Sequence, residues 1–362
     1  MKVLLLTYGS LNTISGGYLY NRQLVNYLQE AGDTVAVVSL DPGRFWQNIM
    51  DNVYDECLDL ISAFKPDIVV QDTIVKNSVF LQNSGKLKRL NVPLVALVHL
   101  LANFERHPWG LGWLHRKLEL RYLHSVDGVI ANSQTTLFQL QTLLKQNLPQ
   151  NCIATPAGNH FGPLSRMAAG QLEERCFASG ALRILVVGNV IRRKGLHVLI
   201  RALQHMASDH FQVTVVGRLD MEPAYVCLIQ EMIEQSGMQQ QISLAGVVHG
   251  ADLADIYQQH HLMVLPSHYE SYGIVYVEAQ QFGLPVIGCL TGAASEIIQH
   301  GTNGYLIGAD DHEALAKLLQ ELQVQRDKLY QLSQNSLAAF SGYPTWQQSC
   351  QTIRTFLQSI VA

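Results

Sequence analysis

The sequence predicts an α/β protein of two doubly wound domains, each a parallel sheet with helices on both faces. Three observations carry that expectation. Short, wholly apolar runs recur along the chain without alternating with polar residues, the pattern of strands buried on both faces. Helix-length segments separate them, and alternating strands and helices give parallel sheets. The series breaks once, between Ile153 and Leu182, where Pro156, Gly158, Gly162, Pro163, Gly170 and Gly180 crowd together. A Lys/Arg-led apolar strand and a Gly-containing turn then open the second half as they opened the first.

In the first half the strand runs are Lys2–Leu6, Thr34–Val38, Asp67–Val70, Leu94–Val98 and Gly128–Ala131. In the second they are Arg183–Val187, Gln212–Val216, Ile242–Ala245, His261–Leu265, Pro285–Ile287 and Gly304–Ile307. Helical patterns include Tyr18–Ala31, Gln134–Lys145, Gly195–Met206 and Tyr225–Ser236. A last helix follows Tyr343-Pro344-Thr345-Trp346, with Thr345 suited to its N-cap. The expected division is residues 1–165, joined by the C-terminal helix 344–362, against residues 166–343. Parallel sheets gather loops and helix N-termini at the carboxyl ends of their strands, so two such domains predict a ligand cleft between those edges.

Composition narrows the function. The chain has 362 residues, 48% of them apolar and 15% charged, which excludes a disordered chain. With 25 Lys+Arg against 29 Asp+Glu the net charge is −4, without the basic footprint of a nucleic-acid binder. Six cysteines without a C-x-x-C read as buried thiols of a reducing compartment. Val3–Leu6 is too short for a signal-peptide core. The longest apolar stretch, Val92–Ala102, is broken by Pro93 and His99 and falls short of a membrane span. The expectation is a soluble, cytoplasmic protein. One stretch complicates it: residues 106–124 mix Trp109, Trp113, Arg116, Lys117 and Arg121 with leucines. That reads either as an interfacial helix in peripheral contact with an anionic membrane face or as a packed helix with a solvated cationic side.

The chemistry concentrates in two strand–turn–helix units. In the first, strand His261–Leu265 runs into Pro266–Gly273, and a helix starts near Ile274. The Gly-bearing turn exposes backbone N–H groups at that helix N-terminus, which favour a phosphate. Glu270 in the loop and Glu278 about one turn into the helix can both face a polyhydroxyl ligand, since carboxylates accept paired hydrogen bonds from vicinal hydroxyls. The plainer alternative makes them a turn acid and a solvated helix residue. In the second unit, Val187-Gly188-Asn189-Val190-Ile191-Arg192-Arg193-Lys194-Gly195 sets three consecutive cations beside the positive end of a helix. That placement opposes the helix dipole unless an anion binds there. The loop Tyr8–Gly17 ends in Gly16-Gly17; it lacks the G-x-G-x-x-G spacing of a dehydrogenase and is either a ligand-approach loop or a plain turn. His99 ends a strand, suited to a ligand contact or to local hydrogen bonds. His249, His260, His261 and His268 lack metal-ligand spacing, and no D-x-D motif occurs, so no metal site is expected.

Taken in order, Pro266-Ser267…Glu270-Ser271-Tyr272-Gly273-Ile274…Glu278-Ala279…Gly283-Leu284-Pro285-Val286-Ile287, then Gly292…Glu296-Ile297-Ile298…Gly301…Gly304-Tyr305-Leu306, resembles the E-x7-E signature of the retaining GT-B glycosyltransferases, glycosyltransferase family 4 (glycosyl transferases group 1). Fainter similarity extends over nearly the whole chain: Gly16-Gly17, His99, Asn132-Ser133, Pro156…Gly158, Gly188…Lys194-Gly195 and Gly246. The resemblance implies two Rossmann-like domains, with a nucleotide-diphosphate sugar (most readily UDP-linked) bound by the C-terminal one. The acceptor, a carbohydrate or lipid-linked hydroxyl, belongs to the N-terminal domain.

The resemblance also implies roles. Glu270 contacts hydroxyls of the transferred sugar, and Glu278 binds the ribose. Gly273, Ile274 and Val275 cap the diphosphate, and Lys194 neutralises it. Gly16, Gly17 and Gly246 belong to donor binding, and His99 touches sugar or acceptor. Asn189 stands where the family carries an Arg, so Arg193 or Arg192 is expected to supply the guanidinium. Transfer would proceed with retention and without a cofactor or metal. Two rivals stand beside it: a nucleotide-sugar 2-epimerase of the same fold, and a non-catalytic sugar-binding subunit.

Overall fold

The computed structural model describes residues 1–54, 56–102, 112–162, 167 and 169–362. It divides into two compact units, Met1–Pro156 with Trp346–Ala362, and Ala157–Thr345. The change from one unit to the other comes at Pro156/Ala157, ahead of the expected residue 165. The reason is packing. Gln281 donates to Gly162 O at 3.3 Å, and the Phe161 ring sits edge-on to Tyr257 and Phe282 of the same unit. Residues 163–166, where the expected boundary falls, lie outside the described residues, as do residues 106–111 of the stretch considered for membrane contact.

The first unit holds strands β1 (Lys2–Tyr8), β2 (Thr34–Leu40), β3 (Ile68–Asp72), β4 (Leu94–Val98), β5 (Gly128–Ala131) and β6 (Gln150–Ile153). All pair in parallel, in the order β2-β1-β3-β4-β5-β6. The second holds β7 (Leu182–Val187), β8 (Phe211–Val216), β9 (Ile242–Gly246), β10 (Leu262–Leu265), β11 (Val286–Cys289) and β12 (Gly304–Ile307), in the parallel order β12-β11-β10-β7-β8-β9. Every residue of β4, β10, β11 and the edge strand β12 is buried. β6 went unread in the sequence because, at the sheet edge, its QNCI run buries no residue fully and carries no apolar signal.

Each sheet has one topological switch point, where the strand order reverses: between β1 and β3 in the first and between β7 and β10 in the second. Loops leaving the carboxyl ends of those strands form the ligand position of a doubly wound sheet. In the second unit they are the loops bearing Arg192–Gly195 and Pro266–Gly273, the two segments singled out for chemistry.

The helix Trp346–Val361 returns to the first unit. Ile360 and Phe356 come so close to Gly128 on β5 that a Cβ there would lie 2.5 Å and 3.1 Å from them. Arg354 Nε donates to the buried Asp33 at 2.6 Å, and Ser349 Oγ donates to Thr155 O at 2.6 Å. No described helix is long and apolar enough to cross a membrane. All six cysteines are free; Cys227 is exposed and Cys152 half-buried, so the expectation of buried thiols holds only for Cys57, Cys176, Cys289 and Cys350.

Candidate active site

In the second unit, β7 delivers the chain to a single 3-10 turn, Arg192–Lys194, closed by Gly195 before the helix Leu196–Leu203. Gly195 has φ +73°, and a Cβ there would sit 2.1 Å from Pro266 O. The cation loop after β7 and the loop after β10 therefore touch backbone to backbone, an approach open only to glycine. The contact is extended by His268 N, which donates to Arg193 O at 2.8 Å.

This approach brings charges together. Lys194 Nζ donates to Glu270 Oε1 at 2.7 Å, and Arg193 Nη1 lies 3.5 Å from the same oxygen while donating to Tyr269 O at 2.6 Å. Glu270 is 7% exposed, which rules out the solvated turn acid. Arg192 points elsewhere: its guanidinium lies over the Tyr225 ring, 5.5 Å from the centroid, and its amide donates to Glu222. Of the two arginines, Arg193 is the one that joins Lys194 and Glu270. Asn189 accepts from Arg218 N at 3.3 Å.

Burial pushes the Glu270 carboxyl up, but the Lys194 and Arg193 cations outweigh it and hold the group below its ordinary range. A carboxyl lowered in this way stabilises the fold above its unfolded-state pKa, and the contribution is lost as pH falls through the folded value. Urea titrations of wild type and Glu270→Gln should therefore differ by a constant amount from neutral pH to about pH 5 and converge below about pH 4. A gap that persists unchanged into strong acid would show that the ion cluster does not form.

The helix Ile274–Gln281 follows Gly273, whose φ is +98°, at the end of the loop that leaves β10. Ile274 and Val275 are half-buried there. Glu278 is 5% exposed and does not face solvent. Tyr257 Oη donates to its Oε2 at 2.7 Å, and His160 Nε2 lies 3.4 Å from Oε1. Neither Tyr257 nor His160 was singled out in the sequence: Tyr257 reads as a core aromatic, and His160 falls in the irregular stretch with no motif around it. Gly246 ends β9, two strands from the switch point, and accepts from Gly217 N at 2.8 Å.

The first unit carries its own cluster at the β1/β3 switch point. Gly16 and Gly17 are the first two residues of a helix, Gly16–Glu30, whose N-cap Ser15 accepts from Tyr18 N. The helix thus starts two residues earlier than the periodicity suggested. The His99 ring lies against Gly17, with Cδ2 3.4 Å from where a Cβ would stand. Asn21 Nδ2 donates to Asp72 Oδ2 at 2.7 Å, which turns Asn21 Oδ1 to His99 Nε2 at 3.1 Å. With Nε2 as the donor, Nδ1 is left as the ring's acceptor. Burial lowers the His99 pKa, with Asp72 opposing, so the ring is neutral at pH 7.

The other histidines separate. His260 is held by Ile256 O and Thr214, and His261 by Arg175 O and Arg183 N. Burial pushes them down to about 4 and about 3, as for core residues. His249 is exposed ahead of the helix Gly250–Gln259. His268 instead meets His197 and Asp310, from two segments distant in sequence.

Two six-stranded parallel sheets, each with a charged or polar cluster at its switch point, define the GT-B fold. Residues 174–338 match the family model of the glycosyl transferases group 1. It is 30% identical over 263 residues to a D-inositol 3-phosphate glycosyltransferase of Xylanimonas cellulosilytica, an alignment covering 70% of this chain and 63% of that protein. It is 26% identical over 252 residues to the mannosylfructose-phosphate synthase of Agrobacterium fabrum, covering 66% and 54%. The chain thus spans less than two thirds of the length of these relatives. Among solved structures, Anabaena HepE in complex with UDP and glucose superposes with a TM-score of 0.76 at 19% identity, over 99% of this chain and 100% of that one. The sucrose-phosphate synthase of Thermosynechococcus elongatus superposes with a TM-score of 0.82 at 17% identity, over 99% and 98%.

Proposed function

We propose that the protein is a retaining glycosyltransferase that moves a sugar from a nucleotide-diphosphate sugar, UDP-linked in the first instance, to an acceptor hydroxyl in glycan, polysaccharide or glycolipid synthesis. The observation that carries this reading is the buried Glu270 held by Lys194 and Arg193 at the β7/β10 switch point. Without a donor, Glu270 acts as the counter-ion of the two cations. When the donor's diphosphate enters against the amides of Gly273, Ile274 and Val275, Lys194 and Arg193 turn to the phosphate oxygens. Glu270 is then free to accept from sugar hydroxyls. Cations already aimed at the leaving group stabilise the charge that develops as the glycosidic bond breaks.

Glu278, with Tyr257 fixing one carboxylate oxygen, offers the other to the ribose. The second unit holds the donor and the first takes the acceptor, where neutral His99 offers Nδ1 to a non-reacting hydroxyl of the sugar or the acceptor. The leaving diphosphate takes the proton of the attacking hydroxyl on the same face of the sugar, so the chemistry needs no carboxylate pair of the glycosidase kind. The solved structure of HepE with UDP and glucose supports the donor class.

A thermal-shift screen of nucleoside diphosphates and their sugars tests the donor, because a ligand at a hundredfold its Kd stabilises by about 2.7 kcal/mol. UDP and a UDP-sugar should raise the melting temperature. Glu278→Gln should weaken nucleotide binding at least roughly tenfold, about 1.4 kcal/mol, and shrink the shift accordingly. A response to no nucleotide, or one indifferent to Glu278, would count against the assignment.

A further inference from the structure

We propose that His197, His268 and Asp310 form a binding site for a divalent transition metal of the zinc class. The site lies beside the ion cluster described above and goes beyond the transferase reading without depending on it. The three residues come from three separate segments: the start of the helix Leu196–Leu203, the loop after β10, and the turn after β12. Their ligand atoms all lie within 4.8 Å of one another. Asp310 Oδ1 is 2.9 Å from His268 Nε2 and 3.5 Å from His197 Nε2.

Zinc–nitrogen and zinc–oxygen bonds of about 2.0–2.2 Å place tetrahedral ligand atoms roughly 3.3–3.6 Å apart. The His197–Asp310 separation of 3.5 Å falls within that range, and the His268–Asp310 contact of 2.9 Å is a hydrogen bond that an entering ion would open by a few tenths of an ångström. As a hydrogen bond, the 3.5 Å contact from His197 is at the limit of usefulness, so one imidazole of the two gains little from the carboxylate alone.

The outer contacts match what a metal-bound imidazole needs. His197 Nδ1 lies 2.8 Å from Tyr225 Oη; donating its proton there leaves Nε2 with its lone pair free and aimed at the centre. Arg192 over the Tyr225 ring keeps that tyrosine in place. The main chain of His268 is fixed on both sides, its N–H by Arg193 O and its carbonyl by Thr291 Oγ1. Asp310 holds φ +59°, a left-handed value uncommon for a residue with a side chain, and its carboxylate is 58% exposed, which gives a metal a way in. Two imidazoles and one carboxylate leave positions for water, the donor set of nitrogen- and oxygen-preferring divalent metals.

An ion here would tie the loop carrying Glu270 to the start of the helix after Lys194 and to the end of β12. It acts as a clasp, outside the reacting atoms.

The test uses the full chain without a polyhistidine tag, stripped with chelator and dialysed against Zn²⁺ and, separately, Co²⁺. Wild type should take up about one Zn²⁺ per chain and develop visible d–d bands with Co²⁺. His268→Ala and Asp310→Asn should each weaken uptake at least roughly tenfold, while His249→Ala leaves it unchanged. Asp310→Asn alters an exposed side chain, so it keeps the test valid if a histidine variant folds poorly. Zn²⁺ should also raise the melting temperature of wild type and leave that of Asp310→Asn where it was. No uptake by wild type, or uptake unaffected by Asp310→Asn, overturns the proposal.

Discussion

Glu270→Ala is expected to lower glycosyl transfer roughly 10²–10³-fold, about 2.7–4 kcal/mol in barrier height, the cost of removing one preorganised electrostatic group. Two effects add. The sugar loses a carboxylate that grips its hydroxyls, and Lys194 and Arg193 lose the anion that holds them at 2.7 Å and 3.5 Å before the donor arrives. Lys194→Ala should fall into the same range by the complementary route, because it strips charge from the leaving group. In both variants the loss should appear chiefly in kcat, with the donor-induced thermal shift reduced but present. Steady-state rates with a panel of acceptors, backed by near-UV circular dichroism to establish folding, decide the matter. Activity within threefold of wild type in a folded Glu270→Ala protein would remove the ion cluster from the chemistry.

The second large effect is on stability. Gly195→Ala forces a side chain into the left-handed region, which costs about 1–2 kcal/mol, and drives its Cβ to 2.1 Å from Pro266 O. Overpacking of this kind adds about 1–3 kcal/mol. The unfolding midpoint of the second unit should therefore drop by the equivalent of roughly 2–5 kcal/mol. The obstructing atom is main-chain carbonyl, so no rotamer change relieves it; the loops must part, and Lys194 is carried away from Glu270. Gly170→Ala, in a helix with nothing within 4 Å, supplies the contrast and should stabilise by about 0.5–1 kcal/mol. Equal midpoints for the two variants in a denaturant titration would mean that the loops do not touch as described.

Much of this was legible in the sequence, for a physical reason. A parallel strand buried on both faces must be apolar throughout, so β4, β5 and β12 could be bounded to the residue. Where that demand lapses, so does the signal: β6 lies at an edge and stays hidden in a polar run. The loops after β7 and β10 stood out because glycines, three cations and an acid are costly together unless an anion binds. Their partners did not stand out. Tyr257, His160, Asn21 and Asp72 act through contacts made across 21 to 118 residues of sequence, and nothing local marks them. Arg192 and Arg193 were indistinguishable as text; a single 3-10 turn sends one to Tyr225 and the other to Glu270.

The return of Trp346–Val361 to the first unit makes the second an insertion within it. On the ribosome, where chains emerge amino end first, residues 157–345 can therefore complete their core while the surface of β5 that Phe356 and Ile360 will cover is still bare. The amino-terminal half is the last to be finished. A defect that slows docking of Trp346–Ala362 would leave the first unit with a bare sheet surface after the second had finished its core.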